Sequence, residues 1–470
     1  MKIKKIKWQN HPILGSLELD FTNKTNDGIY DTIILAGENG TGKTAILETL
    51  STFLNLGSFE PFDFIKYQIK TKFYTAAKPN DPSKAALGFH VRRDSFGHDT
   101  PINSNKNNDF TRINDDHLDI RHYGCVYSKA RSGFKTSIIT STTTQQLDNN
   151  KYGDDANDDF TSIKQLLVDI TSQDNATLAQ YAKMNGTVSW EVFEPTSKMC
   201  RFKSAFKEFF GNMEFKGVDE TSPDEKLVLF SKNNKTITID ELSTGEKQVV
   251  FRGAYLLKDS QNINGGTVLV DEPELSMHPK WQREILNYYR KLFTKDKIQT
   301  AQLFVATHSE YVITSGLQDQ KNVLVIILNE QGGVISSRNI DVPLILPTIT
   351  SAETNYLAFG IMSNDYHIEL YGFLQILTGK YKVKSCDNYI TLQPEYKPDN
   401  HSKQSSFTDR NSSTTTYETL PTYIRNAIDH PDSGNTFTSQ ELQVSIELLI
   451  ELCKAAKSAH GQTQAGVTSP

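Results

Sequence analysis

The chain has 470 residues, a formal net charge of −6, 37% hydrophobic and 23% charged residues. That length and apolar content imply two or three folded domains and exclude a mostly disordered chain. The slight acidity does not mark a nucleic-acid binder, although a local basic face is compatible with it. Four cysteines (Cys125, Cys200, Cys386 and Cys453) lie far apart with no CxxC pair, so reduced thiols are expected and no zinc site. The start MKIKKIKWQNHPILG leads into no signal-like apolar run, and no stretch reaches the ~18 apolar residues of a membrane span. A cytoplasmic protein with no membrane association is expected.

Residues 1–22 alternate apolar and polar side chains, which predicts an antiparallel strand pair leading into a first parallel strand over 30–36. A glycine-rich turn follows, then a helix over 45–56. Residues 57–235 form a polar insert: 76–118 show little periodicity, 122–127 read as a strand, 134–160 are polar and 161–185 helical. No sustained heptads occur there, so no long coiled-coil arm is expected. Beyond it, helix 246–260, strand 267–270, helix 280–294 and strand 301–307 predict a mainly parallel sheet covered by helices. After about residue 345 the pattern turns helical (363–378, 419–429 and 439–457), with a polar linker through 393–416. Thr438 and Glu441 form a capping box for the last helix, and 459–470 read as a disordered tail.

Four short segments carry chemistry. GENGTGKT (Gly37–Thr44) matches GxxxxGK[ST] between a strand and a helix. Its backbone would wrap phosphates at a helix N-terminus, Lys43 would reach the β- and γ-phosphates, and the Thr44 hydroxyl would ligate Mg²⁺. Gly37, Asn39, Gly40, Gly42, Lys43 and Thr44 are therefore the candidate ATP-binding residues. TVLVDE (Thr267–Glu272) is an apolar strand ending in two acids: Asp271 for the Mg²⁺ shell, Glu272 to take a proton from the attacking water. ELSTGEKQ (Glu241–Gln248) opens a helix with Ser243 as cap, and Gly245 leaves room for a phosphate beside the backbone. VATHS (Val305–Ser309) ends the next strand on His308, placed to hydrogen-bond a γ-phosphate and orient water.

In this order the four segments resemble the ABC ATPases: P-loop, an LSGGQ-like signature with Thr244 for the usual glycine, Walker B with its glutamate, and switch histidine. The resemblance implies a homodimer in which Ser243, Gly245 and Glu246 of one copy close on the nucleotide of the other, with Glu274 to Met277 as the D-loop. It assigns Lys43, Glu272 and His308 to catalysis and leaves the family's γ-phosphate-sensing glutamine unplaced. The forms GENGTGKT, ELSTGEKQ and VDEPELSMHP are similar to the SMC-like group that includes prokaryotic defence ATPases. The expected architecture is therefore an α/β, SMC-like ABC domain over 1–345 and a mainly helical accessory domain over 346–458.

IMSNDYHIELYGFLQIL (361–377) and LPTYIRNAIDHP (420–431) resemble the C-terminal part of PtuA-type ATPases of Septu and retron anti-phage systems. That resemblance implies a regulatory ATPase in homodimers or higher oligomers, partnered by an HNH nuclease of the PtuB type. A retron reverse transcriptase with its RNA–DNA is a further expected partner. Arg425 and His430 also fit the R-x₄-H pattern of HEPN ribonucleases, where His does acid–base work and Arg binds phosphate. Their spacing equally suits a helix end closed by Pro431, within a degenerate HEPN-like bundle used for docking. The alternatives to the regulatory reading are an ATP-gated HEPN ribonuclease toxin, the ATPase of a PARIS-type system holding a Toprim effector, and a DNA-repair ATPase. The missing coil speaks against the last.

Overall fold

The computed structural model describes residues 1–23, 26–103, 116–130, 136–148, 160–186, 189–222, 224–260, 263–340, 345–408 and 414–465. The chain divides into two compact units, Met1–Asn339 and Ile340–Pro470.

The first unit holds β1 (Lys2–Trp8), β2 (Glu18–Asp20), β3 (Thr32–Gly37), α1 (Lys43–Leu54), β4 (Phe62–Ile69), β5 (Lys72–Ala77), β6 (His90–Asp94), β7 (Asp99–Ile102), β8 (Cys125–Ser128) and α2 (Phe160–Asn185). It continues with α3 (Thr244–Lys258), β9 (Thr267–Asp271), α4 (Pro279–Leu292), β10 (Gln302–Thr307), α5 (Glu310–Leu317), β11 (Val323–Gln331) and β12 (Val334–Asn339). One six-stranded sheet runs β8–β9–β10–β3–β11–β12 and is parallel until the antiparallel last pair. Its central strands TIILAG, TVLVD and QLFVAT are buried along their whole length, as strands covered on both faces must be. Asp271 pairs with Ala306, and Thr307 with Ala36. The carboxyl ends of β3, β9 and β10 therefore sit side by side, where open α/β sheets place their ligands.

A second sheet, β2–β1–β4–β5–β6–β7, is antiparallel. Ile46, Leu47, Leu50, Phe53 and Leu54 of α1 join one apolar core with Ile3, Ile6 and Trp8 of β1 and with Phe304 and Ile326 of the parallel sheet. The Trp8 indole also donates to Thr49 of α1. The helix behind the glycine-rich turn is thus fixed from both sides. The insert is more structured than its composition suggests: β4 to β7 lie within it, and a three-stranded sheet spans Met213–Thr238. Strands such as KFYTAA and HVRRD carry lysine and arginine outward, which masks their alternation. No long coiled-coil arm is present among the described residues; α2, with 26 residues, packs against α3.

The second unit contains α6 (Ser351–Phe359), α7 (Asn364–Thr378), α8 (Val383–Thr391), β13 (Ser402–Thr408), β14 (Thr414–Thr419), α9 (Leu420–Asp429) and α10 (Ser439–Ala465). Tyr366, Leu370, Leu374, Ile390, Ile424, Ile446 and Leu449 form its core. Two segments differ from expectation. The stretch 393–416 is no plain linker, because β13 and β14 pair as an antiparallel hairpin in it. Helix α10 starts at the Thr438–Glu441 capping box and runs to Ala465, into the stretch read as a tail; residues 466–470 lie outside the described residues.

His367 of α7 is fully buried, with Nε2 2.9 Å from the Ser445 hydroxyl of α10. Burial pushes its pKa down to about 3. The unfolded chain takes up this proton near pH 6.5 and the folded chain does not, so stability falls as pH drops below that value, by about 1.4 kcal/mol per unit. Hydrogen exchange of α7 and α10 peptides, corrected for intrinsic rate, should therefore quicken between pH 7 and 5.5. His367→Asn should flatten that dependence; an unchanged slope in the variant would contradict it.

Candidate nucleotide site

The turn between β3 and α1 needs glycine at three points: Gly37, Gly40 and Gly42 have φ of 147°, 83° and 84°, conformations that residues with a Cβ rarely adopt. A Cβ on Gly37 would also lie 2.3 Å from the Leu328 carbonyl. Asn39 and Gly40 are exposed at the tip, while Lys43 is buried. Its Nζ donates to the carbonyls of Gly37 (2.8 Å) and Glu38 (2.7 Å), so the loop curls around the ammonium group. Burial lowers the Lys43 pKa to about 8, against the opposing pull of Asp271, Glu272, Glu274 and Glu38.

Thr44, the second residue of α1, donates its hydroxyl to Asp271 Oδ2 at 2.9 Å. Two oxygen donors 227 positions apart in sequence thus share one point at the loop mouth. Threonine and carboxylate oxygens beside a phosphate cradle suit Mg²⁺, which keeps several waters and takes its remaining ligands from phosphate. Thr44 and Asp271 could hold that ion. Burial raises the Asp271 pKa, and the Thr44 hydrogen bond opposes the shift. Tyr127 of β8, 3.4 Å from the same carboxylate oxygen, is a neighbour the sequence did not reveal.

Glu272 directly follows β9 with φ of +46°, and its N–H donates to the Ala306 carbonyl. A non-glycine residue in this left-handed region costs of order 1–3 kcal/mol and persists only where its surroundings enforce it. Arg252 of α3 supplies that enforcement. It is 3% exposed and donates to the carbonyls of Asp271 (2.8 Å), Glu272 (3.1 Å) and Lys129 (2.9 Å). The corner turns Glu272 toward His308, whose Nε2 lies 3.4 Å from its carboxylate. Burial and the charge of Lys43 lower the His308 pKa, so its imidazole is neutral near pH 7. A carboxylate beside a neutral imidazole at a phosphate cradle can accept a proton from water and orient it.

Ser243, an exposed residue, caps α3. Glu246 is buried; its carboxylate accepts from Ser243 N–H (2.9 Å) and hydroxyl (2.8 Å) and pairs with Lys232 (2.6 Å). Glu246 thus shapes the tip from beneath, leaving Ser243 and Thr244 exposed there. From Ser243 to Arg252 is roughly 13 Å along the helix, so Arg252 braces Glu272 while the tip lies well away from it. In the second unit, Arg425 of α9 pairs with Asp429 at 2.6 Å and reaches Asn426 Oδ1 at 3.0 Å. His430 is exposed as the C-cap residue, its N–H donating to the Asn426 carbonyl.

Residues 149–314 match a family described as "AAA domain, putative AbiEii toxin, Type IV TA system", a span that includes α3, the acidic strand end and His308. Among curated proteins, the chain is 22% identical over 327 residues to the "Septu protein PtuA" of Bacillus thuringiensis, covering 66% of this chain and 72% of that protein. It is 29% identical over 131 residues to the "Retron Vc95 probable ATPase" of Vibrio cholerae serotype O1 biovar El Tor, covering 26% of this chain and 24% of that one. Among solved structures, the SMC head domain from Thermotoga maritima aligns at 12% identity and a TM-score of 0.36, over 73% of this chain and 100% of that domain. The chain is thus similar to PtuA over most of its length, and its first unit sets a P-loop and an acidic strand end on one mainly parallel sheet. No helix among the described residues is long and apolar enough to cross a membrane.

A triphosphate beside Lys43 would raise its pKa, so ATP binding takes up a proton once pH exceeds about 8. At saturating Mg²⁺ the ATP dissociation constant should rise between pH 7 and 9, by up to about tenfold per unit above 8. Titration calorimetry would show this. Lys43→Ala should lose binding at all pH values, and an unchanged affinity in that variant would remove Lys43 from the site.

Proposed function

We propose that this chain binds Mg²⁺–ATP between two copies of itself and hydrolyses it, as the regulatory ATPase of a cytoplasmic anti-phage complex that controls a partner nuclease. The observation that carries the ATPase reading is the convergence of Lys43, Thr44, Asp271, Glu272 and His308 at adjacent strand ends. The loop amides and Lys43 hold the β- and γ-phosphates. Thr44 and Asp271 hold Mg²⁺, which neutralises charge developing on the phosphate oxygens. Glu272 accepts the proton of the attacking water, and His308 orients the γ-phosphate and that water.

Ser243 and Thr244 form an exposed helix tip, with Gly245 buried just behind them, and the N–H groups of this helix start suit the phosphates of a second copy's nucleotide. The likeness to PtuA supports a defence role, and in this reading the second unit docks the partner, an HNH nuclease of the PtuB type. The Arg425–Asp429 ion pair favours a structural helix end over a ribonuclease site, because the arginine already has its counter-ion.

Glu272→Gln should still bind ATP, accumulate as ATP-bound dimers in sedimentation analysis, and hydrolyse ATP at least about 100-fold more slowly. Wild-type turnover in that variant would remove Glu272 as the base. Co-expression with a PtuB-type HNH nuclease should yield one co-purifying complex. Separate migration of the two proteins, with and without ATP, would contradict the partnership.

A further inference from the structure

Glu274 is a buried carboxylate that the hydrolytic scheme leaves unused. Its Oε1 accepts three donors from the end of β10 and the turn after it: the Thr307 hydroxyl (2.6 Å), His308 N–H (2.9 Å) and Ser309 N–H (3.1 Å). Its Oε2 is buried with no hydrogen-bond partner among the described residues. A second tie runs in parallel. Gln282 of α4 donates to the Met277 carbonyl (2.9 Å), and its Oε1 accepts the hydroxyl of Ser309 (2.7 Å), the cap of α5. Residues 274–277 are thus fastened at both ends to the turn that carries His308.

The middle of the same segment faces α3. Ser276 has φ of 62°, and a Cβ on Gly245 would lie 2.9 Å from its carbonyl oxygen. Glycine at 245 therefore admits a close approach of the segment to the tip of α3. One four-residue stretch touches the α3 tip on one side and holds the His308 turn on the other. A staple for a loop end requires only a hydroxyl or an amide, whereas burying a carboxylate carries a desolvation cost. Here three short donors aimed at one oxygen offset that cost and leave the His308 backbone little freedom.

We propose that Glu274, together with Gln282, is a positioning residue that sets His308 against Glu272 and ties it to residues 274–277 beneath the α3 tip. The coupling rests on the ATPase reading above and adds a regulation to the same site. When a second copy closes on the tip, the 274–277 segment settles and His308 is held for turnover. ATP binding through Lys43 and Thr44 does not pass through this strap, so losing it should lower turnover and spare affinity.

Steady-state turnover and ATP affinity, measured on the full chain for wild type, Glu274→Ala, Glu274→Gln and Gln282→Ala, test this. Glu274→Ala should lower kcat by about tenfold or more, with the ATP dissociation constant within about twofold of wild type. Glu274→Gln should recover most of kcat, because its amide oxygen can accept the same three donors. Gln282→Ala should lower kcat by a smaller factor, and it decides the matter if Glu274→Ala does not fold. Wild-type kcat in both alanine variants would overturn the coupling, as would affinity falling in step with kcat or a Glu274→Gln variant as slow as Glu274→Ala. Wild-type protein assayed alongside separates the two ideas: a silent wild type removes the ATPase reading and the coupling with it, whereas an active wild type with fully active alanine variants removes the coupling alone.

Discussion

The architecture of the candidate nucleotide site depends on one buried guanidinium. Arg252 reaches three main-chain carbonyls, on β9, on the Glu272 corner and just after β8. A buried cation costs several kcal/mol unless its donors are satisfied. Here they are met by carbonyls of the segments that must converge. Arginine suits this because its planar fork serves several acceptors without losing charge. The interaction holds Glu272 in its left-handed conformation and joins the helix behind Ser243 to the acidic strand end. Movement of that helix and the geometry of the proposed base are therefore mechanically connected.

Around this anchor the fold layers support from two directions. The parallel sheet aligns three strand ends, and its hydrogen-bonded register leaves little freedom in the spacing of the P-loop, Asp271 and His308. The antiparallel sheet covers α1 from the other side, so the helix beginning with Lys43 cannot shift without disturbing the Trp8, Phe53 and Phe62 core. Strand ends present the charges, while the residues proposed to respond to a second copy occupy the α3 tip and the 274–277 turn.

Much of this was legible in the sequence, for definite reasons. The phosphate loop and the acidic strand end are contiguous segments whose chemistry is local, and continuous apolar runs such as TIILAG and QLFVAT identify strands buried on both faces. What escaped was everything set by distant pairing. Arg252 reads in sequence as an ordinary helix cation, Tyr127 lies 144 positions from Asp271, and Glu274, placed by resemblance in the D-loop, shows nothing in sequence of its ties to the His308 turn. The insert's strands were obscured by outward lysines and arginines. The β13–β14 hairpin was hidden by its serines and threonines, whose composition is that of a linker.

Completion of each nucleotide site by a second copy is most directly tested by mixing two inactive variants, Lys43→Ala and Ser243→Arg. Each homodimer lacks one half of every site. A mixed dimer holds one intact P-loop facing one intact helix tip, so the account predicts that ATPase activity returns on mixing. If each chain completes its own site, the mixture stays as inactive as its components, and that result would contradict the account.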